Sequence, residues 1–109
     1  MTSSDQLRHV EVRDGDRTVA AAEVTTSGPA GRTVRASLHA APGHVRPGCR
    51  ARLVDAVLDL PEVRACVRLE ATIPIGDAES LCRLRERTRD ASTRPAGSTV
   101  LLDATIPPA

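Results

Sequence analysis

Apolar and polar residues alternate along much of this chain, which is the spacing expected of strands that bury one face. The alternation predicts five strands, over residues 7–13, 17–26, 32–41, 64–73 and 98–106. After the third strand the pattern changes, and apolar residues recur every three or four positions. That spacing is typical of a helix that packs one side against a core.

Turn signals separate the first three predicted strands. Asp14-Gly15-Asp16 is a hairpin signal, because glycine and aspartate tolerate positive φ better than most residues do. Residues 27–31 contain two glycines and a proline and form the next predicted turn. The three strands should therefore form an antiparallel meander, preceded by a flexible terminus at residues 1–6.

Two helices are predicted in the second half of the chain. The first runs from about residue 48 to 60, carries Leu53 and Val57 on its apolar side, and should end at Pro61. The second runs roughly over 78–90 with Asp77 as its N-cap, and a loop is expected at 95–98. The element order is β-β-β-α-β-α-β, and the two strands joined by the first helix should be parallel. We predict one α/β (α+β) domain over residues 1–109, with one mixed sheet flanked by two helices.

The composition bears on how this core is filled. The chain of 109 residues contains no Phe, Tyr or Trp, so Val, Leu, Ile and Ala must supply the buried area that aromatic side chains usually provide. A core of this kind should leave apolar surface or a strand edge exposed. We therefore expect a homodimer, or a stable complex with a protein partner.

Charge and cysteine content restrict the classes of function. A net charge of +1 gives no long-range attraction to nucleic acid, and no apolar run is long enough to span a membrane. We expect neither a nucleic-acid nor a membrane partner. The three cysteines lack CxxC spacing, which favours free thiols in a reducing, cytoplasmic compartment. His39, His44 and Cys49 have no evident fourth ligand, so no metal site is predicted.

The segment that leads from the third strand into the first helix resembles the signature of the GCN5-related N-acetyltransferases (GNAT superfamily). That signature reads Val-x-Pro, then Arg/Gln-x-x-Gly-x-Gly/Ala, then Leu-Leu. Pro42, Gly48 and Leu53-Val54 keep its spacing here, and Asp77 stands where the family has an asparagine. The resemblance covers about residues 7–106. It implies a GNAT-like fold that binds acetyl-coenzyme A (acetyl-CoA) and transfers its acetyl group to an amine.

The resemblance also implies where coenzyme A would bind, namely at the end of the third strand and at the loop and helix start that follow. The residues at those positions are Leu38, Ala40, Val45, Arg46, Gly48, Cys49, Arg50 and Ala51.

Several positions depart from the family pattern. Val45 and Arg50 replace motif residues, Pro47 lacks an N–H donor, and Leu84 stands near the place of a tyrosine that often serves as general acid. The two N-terminal helices of the family are also missing. The chain is therefore interpreted as a short, degenerate member whose transferase activity is weak or lost.

Arg50 is the departure with the clearest consequence. Its side chain either folds across the helix amides and fills the anion site, or turns outward and adds a charge-assisted bond to a bound phosphate. We expect the first arrangement.

His39 and Glu70 are the candidate acid and base, because they lie on neighbouring strands that diverge in this family. The alternative is that both are ordinary polar residues on half-buried strands.

The arginines of 83–89 are interpreted as a solvated helix face. Two rival functions stay open: a non-catalytic interaction or regulatory module on the same fold, and a STAS-like regulatory domain.

Overall fold

The computed structural model describes residues 6–27, 33–41 and 45–108. Of the turn predicted at 27–31, residues 28–31 lie outside these ranges and Ser27 ends the second strand. The motif residue Pro42 also lies outside them, as does the predicted flexible terminus except for Gln6, which belongs to the first strand. The described elements, in chain order, are β1 (Gln6–Asp14), β2 (Arg17–Ser27), β3 (Thr33–Ala40), α1 (Cys49–Leu58), α2 (Pro61–Arg64), β4 (Arg68–Pro74), α3 (Ala78–Arg87), β5 (Arg89–Ala96) and β6 (Thr99–Thr105).

The strands form one mixed sheet in the order β1-β2-β3-β4-β6-β5. The first three strands are the predicted antiparallel meander, and the turn between β1 and β2 contains Gly15 at a φ of 66°. β3 and β4 pair in parallel, with α1 in the crossover between them, as the change of apolar spacing predicted. The predicted mixed sheet is therefore confirmed.

The core lies between one face of this sheet and the helices. Val24, Val34 and Leu69 point from three neighbouring strands into it, and Leu53 and Val54 of α1 pack against them. All the buried apolar side chains of the described residues are aliphatic or cysteine, as the lack of aromatic residues in the sequence requires. The opposite face of the sheet carries the polar residues of the alternating pattern.

The predicted element count is wrong at the end of the chain. Residues 89–96 form a sixth strand, β5, instead of the end of a helix and a loop. α3 ends at Arg87, and a tight turn containing Gly97, at a φ of 65°, returns the chain from β5 into β6. β5 has almost no buried side chains, so it lacks the apolar alternation by which the other strands were recognised.

The segment between α1 and β4 also differs from the prediction. α1 ends at Leu58, and Pro61 begins the short helix α2 instead of ending α1. A proline is tolerated at the first helical position because the N–H it lacks would have no helical partner there. β4 consequently begins at Arg68 instead of Arg64, and the described residues form three helices beside the sheet instead of the two predicted.

A cluster of ion pairs joins α1 to α3, and we call it the Asp55 cluster: Asp55, Asp59, Arg83 and Arg87. Arg83 donates two hydrogen bonds to the Asp55 carboxylate, at 2.8 and 2.9 Å. Arg87 contacts both Asp55 and Asp59 at 2.8 Å. The hydrogen bonds from Arg83 are the main reason that the pKa of Asp55 lies below its usual value, and the hydrogen bond from Arg87 lowers it further, although partial burial opposes the shift. These two arginines are thus part of a helix–helix contact, and the prediction of a merely solvated face is wrong for them.

Candidate functional site

The parallel strands β3 and β4 separate toward their carboxyl ends. Their shared ladder covers Thr33–Ser37 and Arg68–Thr72. Beyond it, β3 continues to Ala40 paired only with β2, and β4 continues to Pro74 paired only with β6. Backbone groups on the inner edges of both strands are therefore available at this point, which is where open α/β sheets usually bind ligands.

The N-terminus of α1 lies at the end of the loop that follows β3. Its N-cap is Gly48, whose φ of 94° lies in the left-handed region that favours glycine. Gly48 has no side chain with which to accept hydrogen bonds from the first helical amides. The helix start therefore presents N–H donors, and the positive end of the helix dipole, to any neighbouring anion.

Glu79 supplies that anion from within the chain. Its Oε2 atom accepts hydrogen bonds from the amides of Gly48 at 3.0 Å and of Ala51 at 2.8 Å. Glu79 lies in the first turn of α3, so a carboxylate of α3 accepts the hydrogen bonds of amides at the start of α1. The anion site of α1 is occupied by this side chain.

Arg50 does not lie across these amides. Its Nη1 atom lies 2.9 Å from Oδ2 of Asp77, in an ion pair whose side chains are 26% and 4% exposed. The expectation that Arg50 fills the anion site is wrong, and the reason is chemical. A guanidinium is a cation with donors only, so it can neither accept from helix amides nor favour the positive end of the dipole.

Asp77 also fixes the start of α3. Its two carboxylate oxygens accept from the amide of Ser80 at 3.0 Å and from the hydroxyl of Ser80 at 2.7 Å. The predicted N-cap role of Asp77 is thereby confirmed. Because Asp77 holds both Arg50 and the first turn of α3, it also helps to place Glu79 beside α1.

The other residues predicted to contact a cofactor surround this helix start in different ways. Val45 packs against the core, and the Cys49 side chain is buried. Arg46 lies 3.4 Å from the carboxylate of Asp14 at the β1–β2 hairpin. On β3, Leu38 is buried and Ala40 is partly exposed, both in the stretch that continues past the ladder with β4.

The structure does not bring the two predicted catalytic residues together. Glu70 is paired with Arg35 across the β3–β4 ladder, and Arg35 donates a hydrogen bond to its carboxylate at 2.9 Å. His39 lies four residues beyond Arg35 on β3, about 13 Å along a strand. Their acid and base roles stay a prediction, and together they do not form an acid–base pair.

Glu70 lies instead in a shallow cleft of about 510 Å³ on the face of the sheet opposite the helices. Glu23, Arg35 and Asp103 also line it, so the face is polar and of mixed charge. Leu7, which is 71% exposed, also lines this cleft, so some apolar surface is exposed here beside the polar side chains.

Other features bear on the remaining predictions. Within residues 6–27, 33–41 and 45–108, no group of three or more His, Cys, Asp and Glu side chains could hold a metal ion. Cys49, Cys66 and Cys82 are free; Cys49 is buried, Cys66 is partly buried and Cys82 is exposed, and the partial burial of Cys66 raises the pKa of its thiol. No helix among the described residues combines the length and apolar composition needed to cross a membrane.

Solved structures share this architecture. A protein from Sphaerobacter thermophilus DSM 20745, assigned as an acetyltransferase, matches 96% of this chain with a TM-score of 0.64 and 17% identity. The ribosomal-protein-alanine N-acetyltransferase of Brucella melitensis matches 93% with a TM-score of 0.61 and 14% identity. The chain has the GNAT fold. A third GNAT-like structure, from Salmonella typhimurium and also assigned as an acetyltransferase, contains its cofactor acetyl-CoA and matches 92% at a TM-score of 0.59 and 14% identity.

The likeness is one of fold. The chain spans 67%, 69% and 64% of the lengths of those three structures, so it corresponds to about two thirds of each. No protein-family profile matches the sequence, and no curated protein matches it by sequence. The predicted GNAT-like fold is confirmed, and the STAS-like alternative is set aside.

Sequence reasoning missed Glu79 as a residue of this site. A glutamate in the first turn of a helix is expected simply because the dipole favours it there. Its partners, Gly48 and Ala51, precede it by 31 and 28 residues, and nothing in the local sequence points to them. The Asp55 cluster did leave a signal, since its two aspartates and its two arginines are each separated by one helical turn.

Proposed function

We propose that this chain is an acyl-coenzyme A-binding domain of the GNAT fold, with weak or no acetyl transfer to amines. The observation that carries the proposal is the separation of β3 from β4 beyond Ser37 and Thr72. It leaves a gap between two parallel strands at the sheet end from which the chain leads to the N-terminus of α1. One structure of the same fold contains acetyl-CoA.

The arrangement suits a cofactor that combines an extended arm with a pyrophosphate. Inner-edge backbone groups of β3, near Leu38 and Ala40, would pair with the arm as a further strand would. The amides of Gly48 and Ala51 are suitably placed for the pyrophosphate once Glu79 moves away.

Weak acetyl transfer is expected because few side chains could act as proton donor or acceptor, and one of them is already held in a hydrogen bond. Leu84, at the position near the family tyrosine, is buried and has no titratable group. Glu70 accepts a hydrogen bond from Arg35, which competes with a role as proton acceptor. What remains is positioning of the acyl donor, which alone supports slow transfer.

A titration tests this proposal. Without Trp or Tyr the protein gives no useful intrinsic fluorescence, so the amide resonances should be followed by NMR while coenzyme A and then acetyl-CoA are added. We expect saturable shifts at Gly48, Ala51 and the end of β3, with a Kd weaker than about 0.1 mM. Absence of any shift at millimolar cofactor would refute binding. Robust acetyl transfer, abolished by His39→Ala or Glu70→Ala, would refute the loss of activity.

A non-catalytic interaction module is the second candidate. It is favoured by one observation: the anion site of α1 is already satisfied by Glu79, so the fold is complete without a cofactor. This candidate predicts no response of Gly48 and Ala51 to coenzyme A, so the same titration separates the two.

A further inference from the structure

We propose that Glu79 is an intramolecular competitor for the pyrophosphate of coenzyme A, and that this carboxylate must leave the amides of α1 before the cofactor binds. The inference rests on the proposed acyl-coenzyme A function and concerns the regulation of the same site. It begins from one contact. A single oxygen of Glu79 accepts from both Gly48 and Ala51, at 3.0 and 2.8 Å.

The amides cannot serve both anions at once. A pyrophosphate oxygen that accepts from Gly48 and Ala51 would take the position of Glu79 Oε2, and the two negative groups would repel each other. The helix dipole attracts either anion, so the competition is direct.

The internal carboxylate has the advantage of proximity. Glu79 is attached to α3, and an attached group has an effective concentration in the millimolar range or higher. Asp77 increases this advantage, because it binds Ser80 in α3 and Arg50 in α1 and so holds the two helix starts together. An external anion meets the free amides only in the fraction of molecules from which Glu79 has moved, and its apparent affinity falls by that fraction.

Removal of the Glu79 carboxylate should therefore strengthen anion binding. The variant is Glu79→Ala, and the matched control is Glu86→Ala, on the same helix with the same change in charge. Glu86 is 57% exposed and contacts Arg83 instead of α1. Glu79→Gln is the second variant, because its amide oxygen still accepts from α1 but carries no charge.

Two probes are used, inorganic pyrophosphate and coenzyme A, with calorimetry for affinity and the Gly48 and Ala51 amides followed by NMR. We expect Glu79→Ala to bind both probes at least about tenfold tighter than the unaltered protein, a change of roughly 1.4 kcal/mol. The affinity of Glu79→Gln for each probe should lie between those of Glu79→Ala and the unaltered protein. The affinity of Glu86→Ala should stay within about twofold of that of the unaltered protein. A far-ultraviolet circular dichroism spectrum checks that each variant is folded. If Glu79→Ala does not fold, the affinity of Glu79→Gln tests the competition instead.

The two probes distinguish the failure of this inference from the failure of the proposed function. Tighter pyrophosphate binding by Glu79→Ala without any binding of coenzyme A supports the competition and refutes the acyl-coenzyme A function. Unchanged or weaker binding of both probes by the Glu79 variants refutes the competition, whether or not the unaltered protein binds coenzyme A. An equal gain in Glu86→Ala would also overturn it, because the effect would then be one of net charge.

Discussion

Gly48 carries a backbone conformation that other residues adopt only at a cost. At a φ of 94°, a β-carbon meets the adjacent backbone, although nothing else lies within 4 Å of the place it would occupy. The cost of a side chain at this position is thus conformational strain instead of a clash with neighbours. The strain would act directly on the amide that Glu79 accepts from.

Substitution of Gly48 measures that strain. We expect Gly48→Ala to lower the free energy of unfolding by ~1 kcal/mol, after allowance for the smaller entropy of its unfolded chain. Gly48→Asn should cost less, because asparagine tolerates positive φ. Urea unfolding of the three proteins provides the measurement. If alanine and asparagine are equally harmless, the left-handed conformation at this position is not required.

Whether the role of a site residue could be predicted from the sequence depends on how far away in the chain its partners lie. Gly48 was identified from the sequence because it keeps the spacing of the resembled motif at the start of α1, but its left-handed conformation was not predicted. The roles of Glu79 and Arg50 were not predictable, since each depends on how the starts of α1 and α3 pack together. The mistake over Arg50 was avoidable, because donor and acceptor chemistry alone excludes a guanidinium from helix amides.

At the scale of elements, prediction succeeded where one face is buried and failed where neither is. β3 and α1 were recognised because their apolar residues follow periods of two and about 3.6. β5 is an edge strand whose side chains are mostly exposed, so it has no such period. The apparent alternation at Ala65 and Val67 was misleading, since those residues precede β4.

The Asp55 cluster allows a test of how the helices are held. Since hydrogen bonds to Arg83 and Arg87 depress the pKa of Asp55 in the folded protein, its contribution to stability is fully present above the unfolded pKa of about 3.9. That contribution is lost as the pH falls through the lower folded value. We expect Asp55→Asn to lower the midpoint of thermal unfolding by ~3–6 °C at pH 7, and by clearly less at about pH 2, well below the unfolded pKa.

The control for this prediction is Asp59→Asn. Asp59 contacts Arg87 alone within the cluster and is 59% exposed, so its loss should have a smaller effect at both pH values. Thermal unfolding followed by circular dichroism compares the three proteins. A pH-independent difference between Asp55→Asn and the unaltered protein would contradict the assignment of the effect to this carboxylate.

At the scale of the whole molecule, the sheet has two unlike faces and two unlike edges. The helices cover one face, and the other is polar, which alternation along the strands predicted. The edges could not be assigned before β5 was known. β5 has a register shift between Arg89 and Ser92 and contains Pro95, which lacks an N–H donor, so this edge is poorly suited to further pairing.

The expected homodimer stays a prediction, and we propose that it forms through the edge of β1. β1, which forms that edge of the sheet, pairs regularly with β2 on its inner side from Gln6 to Val12, and its residue Leu7 is 71% exposed. Pairing of two β1 strands would extend the sheet across both copies and cover Leu7. Sedimentation equilibrium at high micromolar concentration should then show a species of twice 11.5 kDa.

A lysine at position 7 tests the edge, because a charged side chain on an edge strand opposes pairing with another chain. We expect Leu7→Lys to weaken dimerisation at least about tenfold. Ile75→Lys is the matched control, since Ile75 is also an exposed aliphatic residue, at 60%, but lies in the turn after β4. Only the 11.5 kDa species in the unaltered protein would exclude the dimer. A dimer that Leu7→Lys leaves intact would place the contact elsewhere, and the exposed end of β4 near Ile75 would become the next surface to alter.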